Sequence, residues 1–186
     1  MMDDVQFRAL YDAHVNDVFR FATSLCKSPE DVEEVVQNTF LRLATRYNDI
    51  RHHDRIRVWL LRVCRNETVS LWRRKKRHEN AQLERPLSMD TFSSDTLDPA
   101  DVAIDHEKTH LVRTAIASLS EPTRTVVLCR IYMGLSNVET ASVLGWTTTR
   151  VRVSYSRGIK RLRNRLMSDA DATRSLCDGR ISDFRQ

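Results

Sequence analysis

Ser136-Asn137-Val138-Glu139 has the spacing of a capping box, in which a serine hydroxyl and a glutamate carboxylate three residues on each satisfy one of the other's backbone amides. Ala141, Val143 and Leu144 make the helix that follows apolar on one side, and Gly145 can close it. Thr147 or Thr148 can then cap a longer helix that carries Arg150, Arg152, Arg157, Lys160, Arg161, Arg163 and Arg165, with Val151, Ile159, Leu162 and Leu166 left to pack it down. A short capped helix, a glycine turn and a long basic helix form a helix-turn-helix, which lays its second helix in the DNA major groove while the first crosses the backbone. Solvated charged faces normally mix signs, yet from Thr140 to Ser168 there are seven Lys or Arg and no carboxylate. The segment from Ser120 to Met167 is therefore read as a DNA-binding unit. Thr148, Thr149, Arg150 and Arg152, near the helix start, are placed to reach base edges, where an arginine matches guanine with two hydrogen bonds. Arg157, Lys160 and Arg161, farther along, suit phosphates, and Arg165 suits solvent.

The rest of the chain is expected to be helical too. Four glycines and four prolines in 186 residues, and no sustained alternation of β-branched with polar residues, predict an all-α fold with no sheet. Phe7, Leu10, Tyr11, Val15, Val18, Phe19, Ala22, Leu25 and Cys26 recur at helical spacing and predict a first helix ending near Lys27. Ser28-Pro29-Glu30-Asp31 reads as the start of a second, with Val32, Val35, Val36, Phe40 and Leu43 inward and Glu33, Glu34, Gln37, Asn38 and Arg42 outward. After a polar stretch from Asn48 to Arg55, Trp59, Leu60, Val63 and Cys64 mark the inner face of a third helix, which runs into the unbroken basic pentad Arg73 to Arg77. Periodicity is lost after Glu79 and returns after Asp98-Pro99, with Val112, Ala115, Ile116 and Leu119 on one face. This predicts two small helical domains, 1–79 and 106–168, joined by a flexible acidic linker, 80–105, and followed by a tail, 169–186. The tail is weakly patterned and fits either disorder or a regulatory contact.

Charge and cysteine usage narrow the class. The net charge of +5 and pI near 9.3 call for an acidic partner, and the distribution is lopsided: Pro86 to Glu107 holds six carboxylates and no Lys or Arg. Cys26, Cys64, Cys129 and Cys177 form no C-x-x-C pair, so neither a zinc site nor a disulfide framework is indicated, and buried thiols are expected for the first three. No apolar run approaches the ~20 residues of a membrane span and the N-terminus lacks a signal design, which predicts a cytoplasmic protein. His106-Glu107-Lys108-Thr109-His110 matches H-E-x-x-H, but a lysine between the histidines, a linker-edge position and no evident third ligand favour a solvent-facing pair over catalytic zinc.

Four blocks, FRALYDAHVNDVFRFA, EEVVQNTFLRL, VWLLRVCRNETVSLWRRKKR and LSEPTRTVVLCRIYMGLSNVETASVLG, together resemble the two domains of an extracytoplasmic-function sigma factor of bacterial RNA polymerase. The resemblance spans about Phe7 to Met167, in order and with an acidic linker between the halves. It implies that the helix around Val35 to Arg46 docks on the clamp coiled coil of the polymerase's largest subunit, with Gln37, Leu41 and Arg42 in the interface motif, and that the polymerase flap is a further partner. It implies that Arg65-Asn66 stands at the lip of a pocket for a base flipped from the −10 element, where an amide can both donate and accept along a Watson–Crick edge. Arg73, Arg74, Lys75, Lys76 and Arg77 would follow the −10 phosphates, and the linker would thread the polymerase cleft. An anti-sigma protein is a further implied partner. No cofactor and no covalent chemistry are expected.

Several positions depart from the family pattern. Asn38 stands where a carboxylate is usual and Ser70 where an Asp is common. Val138-Glu139-Thr140-Ala141 replaces the usual Glu-Glu-Ile-Ala, and Thr149-Arg150-Val151 replaces the frequent Gly-Thr-Val, so the −35 preference cannot be read from the family. A LuxR-like regulator would explain the last third equally well, but would leave the Gln37 face and Arg65-Asn66 without a role. An adaptor that binds polymerase and not promoters would leave the basic helix idle. Trp59 is expected in the core, and Trp72, beside the pentad, either there or as a stacking platform.

Overall fold

The computed structural model describes residues 3–50, 55–82 and 106–182, with side chains described over 3–50, 55–78 and 111–168. Among these residues every regular element is a helix. The expected linker, 80–105, lies almost wholly outside them.

Local chemistry sets the first three helices. The Asp3 carboxylate accepts from the Gln6 amide at 2.6 Å and starts α1 (Asp4–Leu25). Ser28 accepts from the Asp31 amide at 3.3 Å and, with Pro29 in the first turn, starts α2 (Pro29–Arg46). A 3-10 turn, Tyr47–Asp49, leads to the buried Ile50. Then α3 (Ile56–Gln82) runs past the boundary expected at residue 79. The three pack as a bundle around Val18, Phe21, Ala22, Leu43, Leu60, Leu61 and Cys64, each worth roughly 1–3 kcal/mol of burial for the larger side chains. The inward face of α1 differs from the expected one at one aromatic: Phe21 is fully buried, whereas Phe19 is 50% exposed. Val18, Phe21, Ala22 and Leu25 share the three-and-four spacing of one stripe, and Phe19 sits 100° beside it. On α3, Leu61 is fully buried together with Leu60 and Cys64, while Trp59 and Val63 are half-buried at the edge.

The C-terminal unit begins with α4 (His106–Ala117), whose last carbonyls are capped from the next helix: Arg124 Nη2 donates to Ala117 O at 2.6 Å and to Leu119 O at 3.0 Å. From Ser120, α5 (Glu121–Val127) continues into a π turn, Leu128–Tyr132, closed by Met133 N to Leu128 O at 2.9 Å. Around that turn Cys129, Met133 and Leu135 are buried, and Ile131 points out, 58% exposed. Gly134, at φ +67°, takes the left-handed conformation that lets the chain reverse. The capping box forms in both directions, Ser136 N to Glu139 Oε2 at 2.7 Å and Glu139 N to Ser136 Oγ at 3.2 Å, and opens α6 (Asn137–Leu144). Gly145, also at φ +67°, ends it, and Thr147 Oγ1 accepts from Arg150 N at 3.2 Å to start α7. This last helix extends from Thr148 to Ser182, so the segment expected as a tail is helical through Ser182.

The two units share one core. Helix α3 packs on α6, and Arg57 crosses the seam, donating to Asp17 Oδ2 at 2.5 Å and to Met133 O at 3.0 Å. Arg20 lies over the Tyr132 ring at 4.7 Å. Cys26, Cys64 and Cys129 are buried thiols, as expected. Burial pushes Cys26 up to about 11 and Cys129 up to about 12, and raises Cys64 as well, so all three stay protonated at neutral pH.

Candidate nucleic-acid interface

Helices α2 and α3 run antiparallel, and three ion pairs lace them along their length. Lys75 Nζ meets Asp31 Oδ1 at 2.5 Å, Arg74 Nη2 meets Glu34 Oε1 at 2.5 Å, and Arg42 Nε meets Glu67 Oε1. Two members of the basic pentad thus hold α2 in place. Arg73, Lys76 and Arg77 are exposed, with no carboxylate among the described residues in ion-pair range, and keep a charge available to phosphates.

Beyond the Arg42–Glu67 pair, the helices diverge around a cavity of about 420 Å³ lined by Arg42, Ile50, Trp59, Asn66, Glu67 and Ser70, among others. One wall is the half-buried Trp59 and the rim carries the exposed Asn66 amide. Arg65 is not in the lining. Its Nη1 donates to Asn66 Oδ1 at 3.3 Å, which leaves Asn66 Nδ2 as the group on offer. An aromatic wall, an amide and a hydroxyl around an open space are what a single unstacked base needs. The sequence reading placed Asn66 there but put Trp59 wholly in the core; its packing against the core is real, and its other side lines the cavity.

On α2, Gln37 and Leu41 are one turn apart on the face opposite the buried Val35, Thr39 and Leu43. Leu41 is 56% exposed, an apolar side chain with no described neighbour to cover it fully. Arg42 is 100° farther round the helix and turns toward α3, away from that face.

On α7 the buried Val151 and Gly158 mark the inner side, and Thr149, Val153, Arg157 and Lys160 line the outer side directly opposite. Thr148, Thr149, Arg150, Arg152, Arg157, Lys160 and Arg161 are all exposed. The Arg150 guanidinium stacks over the Trp146 ring at 3.8 Å, which fixes where it emerges. Val153, 45% exposed in the middle of this stripe, is an outward apolar residue that sequence reasoning did not single out; in a helix laid in the major groove such a group would suit a thymine methyl. Its signal was present in the sequence, two residues after the buried Val151, hence on the other side of the helix. The capping box draws the Glu139 carboxyl below its ordinary value through its hydrogen bonds with Ser136, so the turn stays closed at neutral pH.

Among the described residues no group of His, Cys, Asp and Glu could hold a metal, and no helix is long and apolar enough to cross a membrane. The His106 and His110 side chains lie outside the described residues, although α4 includes both positions.

Residues 10–78 match the family model described as sigma-70 region 2, and residues 109–162 that described as sigma-70 region 4. The ECF RNA polymerase sigma factor SigL of Mycobacterium tuberculosis is 33% identical over 152 residues, covering 80% of this chain and 83% of that protein. The ECF RNA polymerase sigma factor SigX of Bacillus subtilis is 27% identical over 167 residues, covering 86% and 83%. Among solved structures, the sigma factor RpoE in complex with the anti-sigma factor NepR from Bartonella quintana superposes with a TM-score of 0.71 at 21% identity, covering 88% of this chain and 98% of that one. CnrH in complex with the cytosolic domain of CnrY gives 0.63 at 24%, covering 90% and 91%. Both halves match, so a regulator that shares only the helix-turn-helix is not favoured.

Proposed function

Because this chain belongs to the extracytoplasmic-function sigma factors of RNA polymerase, we propose that it joins core polymerase through the Gln37 and Leu41 face of α2 and reads promoter DNA at two places. The observation that carries the assignment of sites is the cavity between α2 and α3, where Asn66 and Trp59 border an open space large enough to admit a base, on the same helix that continues into Arg73, Lys76 and Arg77. A base leaving the −10 duplex enters that cavity while its neighbours' phosphates follow the basic run. The outer side of α7, with Thr149, Arg150, Arg152 and Val153 toward the bases and Arg157, Lys160 and Arg161 toward the backbone, lies in the −35 major groove. Polymerase supplies the chemistry, and the protein works in the cytoplasm. An anti-sigma protein is a natural further partner, since the sigma factor RpoE, which shares the fold, is held by the anti-sigma factor NepR.

The test separates melting from duplex binding. With core polymerase and a promoter selected by the wild-type holoenzyme, Asn66→Ala should abolish most permanganate-reactive thymines at −10 while leaving closed-complex binding within about threefold. Equal loss of both would overturn the cavity assignment.

A further inference from the structure

Glu67 is out of place in a cavity meant for a polyanion. Its side chain is only 13% exposed, it lines the same space as Asn66, and an unpaired carboxylate there would repel an incoming nucleotide's phosphates. The cation that faces it is Arg42, on the other helix. Among the described residues, both other α2–α3 ion pairs set an acid on α2 against a base on α3, whereas this one has the opposite polarity. Helix geometry separates Arg42 from the outward row of Gln37 and Leu41 by about 100° or more, on the flank that looks into the cavity.

We propose that Arg42 is a residue of the −10 cavity, whose task is to neutralise Glu67, and that it is not a polymerase contact. This rests on the reading that the cavity receives a base. With Oε1 held by Arg42 Nε and no described donor on Oε2, the carboxylate can accept from a base N–H without a net negative charge at the cavity wall. Arg42 is thereby a positioning residue that acts through Glu67.

Two affinities distinguish the roles. One is that of full-length protein for core polymerase, by fluorescence anisotropy; the other is that of holoenzyme for a fork-junction DNA selected by the wild type from a pool with a randomised single-stranded −10 segment. Arg42→Ala should leave core affinity within about twofold and weaken fork-junction binding by about tenfold or more, since the Glu67 carboxylate, only 13% exposed, is left without its cation. Adding Glu67→Gln should restore most of that loss, and Arg42→Lys, which keeps the charge, should lose less than Arg42→Ala. Weaker core binding that Glu67→Gln does not rescue would overturn the proposal and return Arg42 to the polymerase interface; unchanged values for both affinities would also overturn it. If Asn66→Ala leaves fork-junction binding intact, the cavity reading itself fails, a different outcome from either. A melting curve for each variant checks folding, and the Lys variant keeps the comparison valid if the Ala variant unfolds.

Discussion

Gly158 lies tight against α5 where α7 packs on it, and replacing it gives a sharp test of the C-terminal packing. A methyl group built at Gly158 would stand 2.8 Å from Val127 Cγ2 and 2.9 Å from Thr123 Cγ2, well inside the ~3.5–4.0 Å at which carbon atoms rest. Intrinsic propensity favours Gly158→Ala by about 1 kcal/mol, because glycine is a poor residue in a helix interior. Overpacking a tight contact costs about 1–3 kcal/mol. Thr123 is half-buried and can turn, but Val127 is buried and branched at Cβ, so its methyl cannot swing away without leaving its rotamer. The contact should therefore win, with a net loss of about 1 kcal/mol. In urea unfolding followed by far-UV circular dichroism, that lowers the midpoint by about 0.5–1 M at an ordinary m-value. In a Val127→Ala background, which removes the nearer methyl, the same substitution should become neutral or stabilising. A higher midpoint for Gly158→Ala in the otherwise unchanged protein would refute the packing argument.

Other consequences follow from single contacts. Arg57→Ala removes both the Asp17 pair and the hydrogen bond to Met133 O, and should cost about 1–2 kcal/mol and speed amide exchange around Tyr132 to Leu135; unchanged exchange there would mean that Arg57 does not tie the units together. Ser136→Ala should cost about 1 kcal/mol at pH 7. The Glu139 carboxyl is lowered in the folded state, so its share of stability is present above its unfolded value of about 4.3 and is lost as pH falls through the lower folded value. The thermal gap between wild type and Ser136→Ala should accordingly shrink at pH 3, and a constant gap would contradict the capping-box account. For the buried thiols the sign is opposite. Their folded values are raised, so stability is full below about pH 8.5 and falls above it as the unfolded chain ionises, by about 1.4 kcal/mol per pH unit for each thiol. Cys26→Ala should flatten that alkaline slope by about one thiol's worth between pH 9 and 10.5, and an unaltered slope would show that Cys26 ionises freely in the fold.

Local signals in the sequence carried most of the helix boundaries because their physics is local. Ser28-Pro29, the Ser136 to Glu139 box, Gly134 and Gly145 each act on amides or φ angles a few residues away, and each does in the structure what its spacing predicts. What was not legible depends on packing across elements. Phe19 and Phe21 are equally apolar and flank the same α1 stripe on opposite sides, and packing against the other helices buries Phe21. Ile131 points outward within the π turn, which periodicity alone does not reveal. In the site, Asn66 was identified through resemblance to a family, whereas Trp59 and Glu67 were not, because a residue can serve the core with one face and a cavity with the other. Arg74 and Lys75 belong to the same class: a basic run looks uniform in sequence, and partners 40 or more positions earlier select which members are engaged.

The central claim is that this chain confers promoter choice on RNA polymerase by joining two DNA-reading ends to the core enzyme. The most direct measurement is run-off transcription with purified core polymerase on a library of genomic promoter fragments, with and without the full-length protein. The account predicts discrete, reproducible start sites that depend on the protein and disappear with Asn66→Ala. Initiation that is indistinguishable from core enzyme alone across the whole library would contradict it.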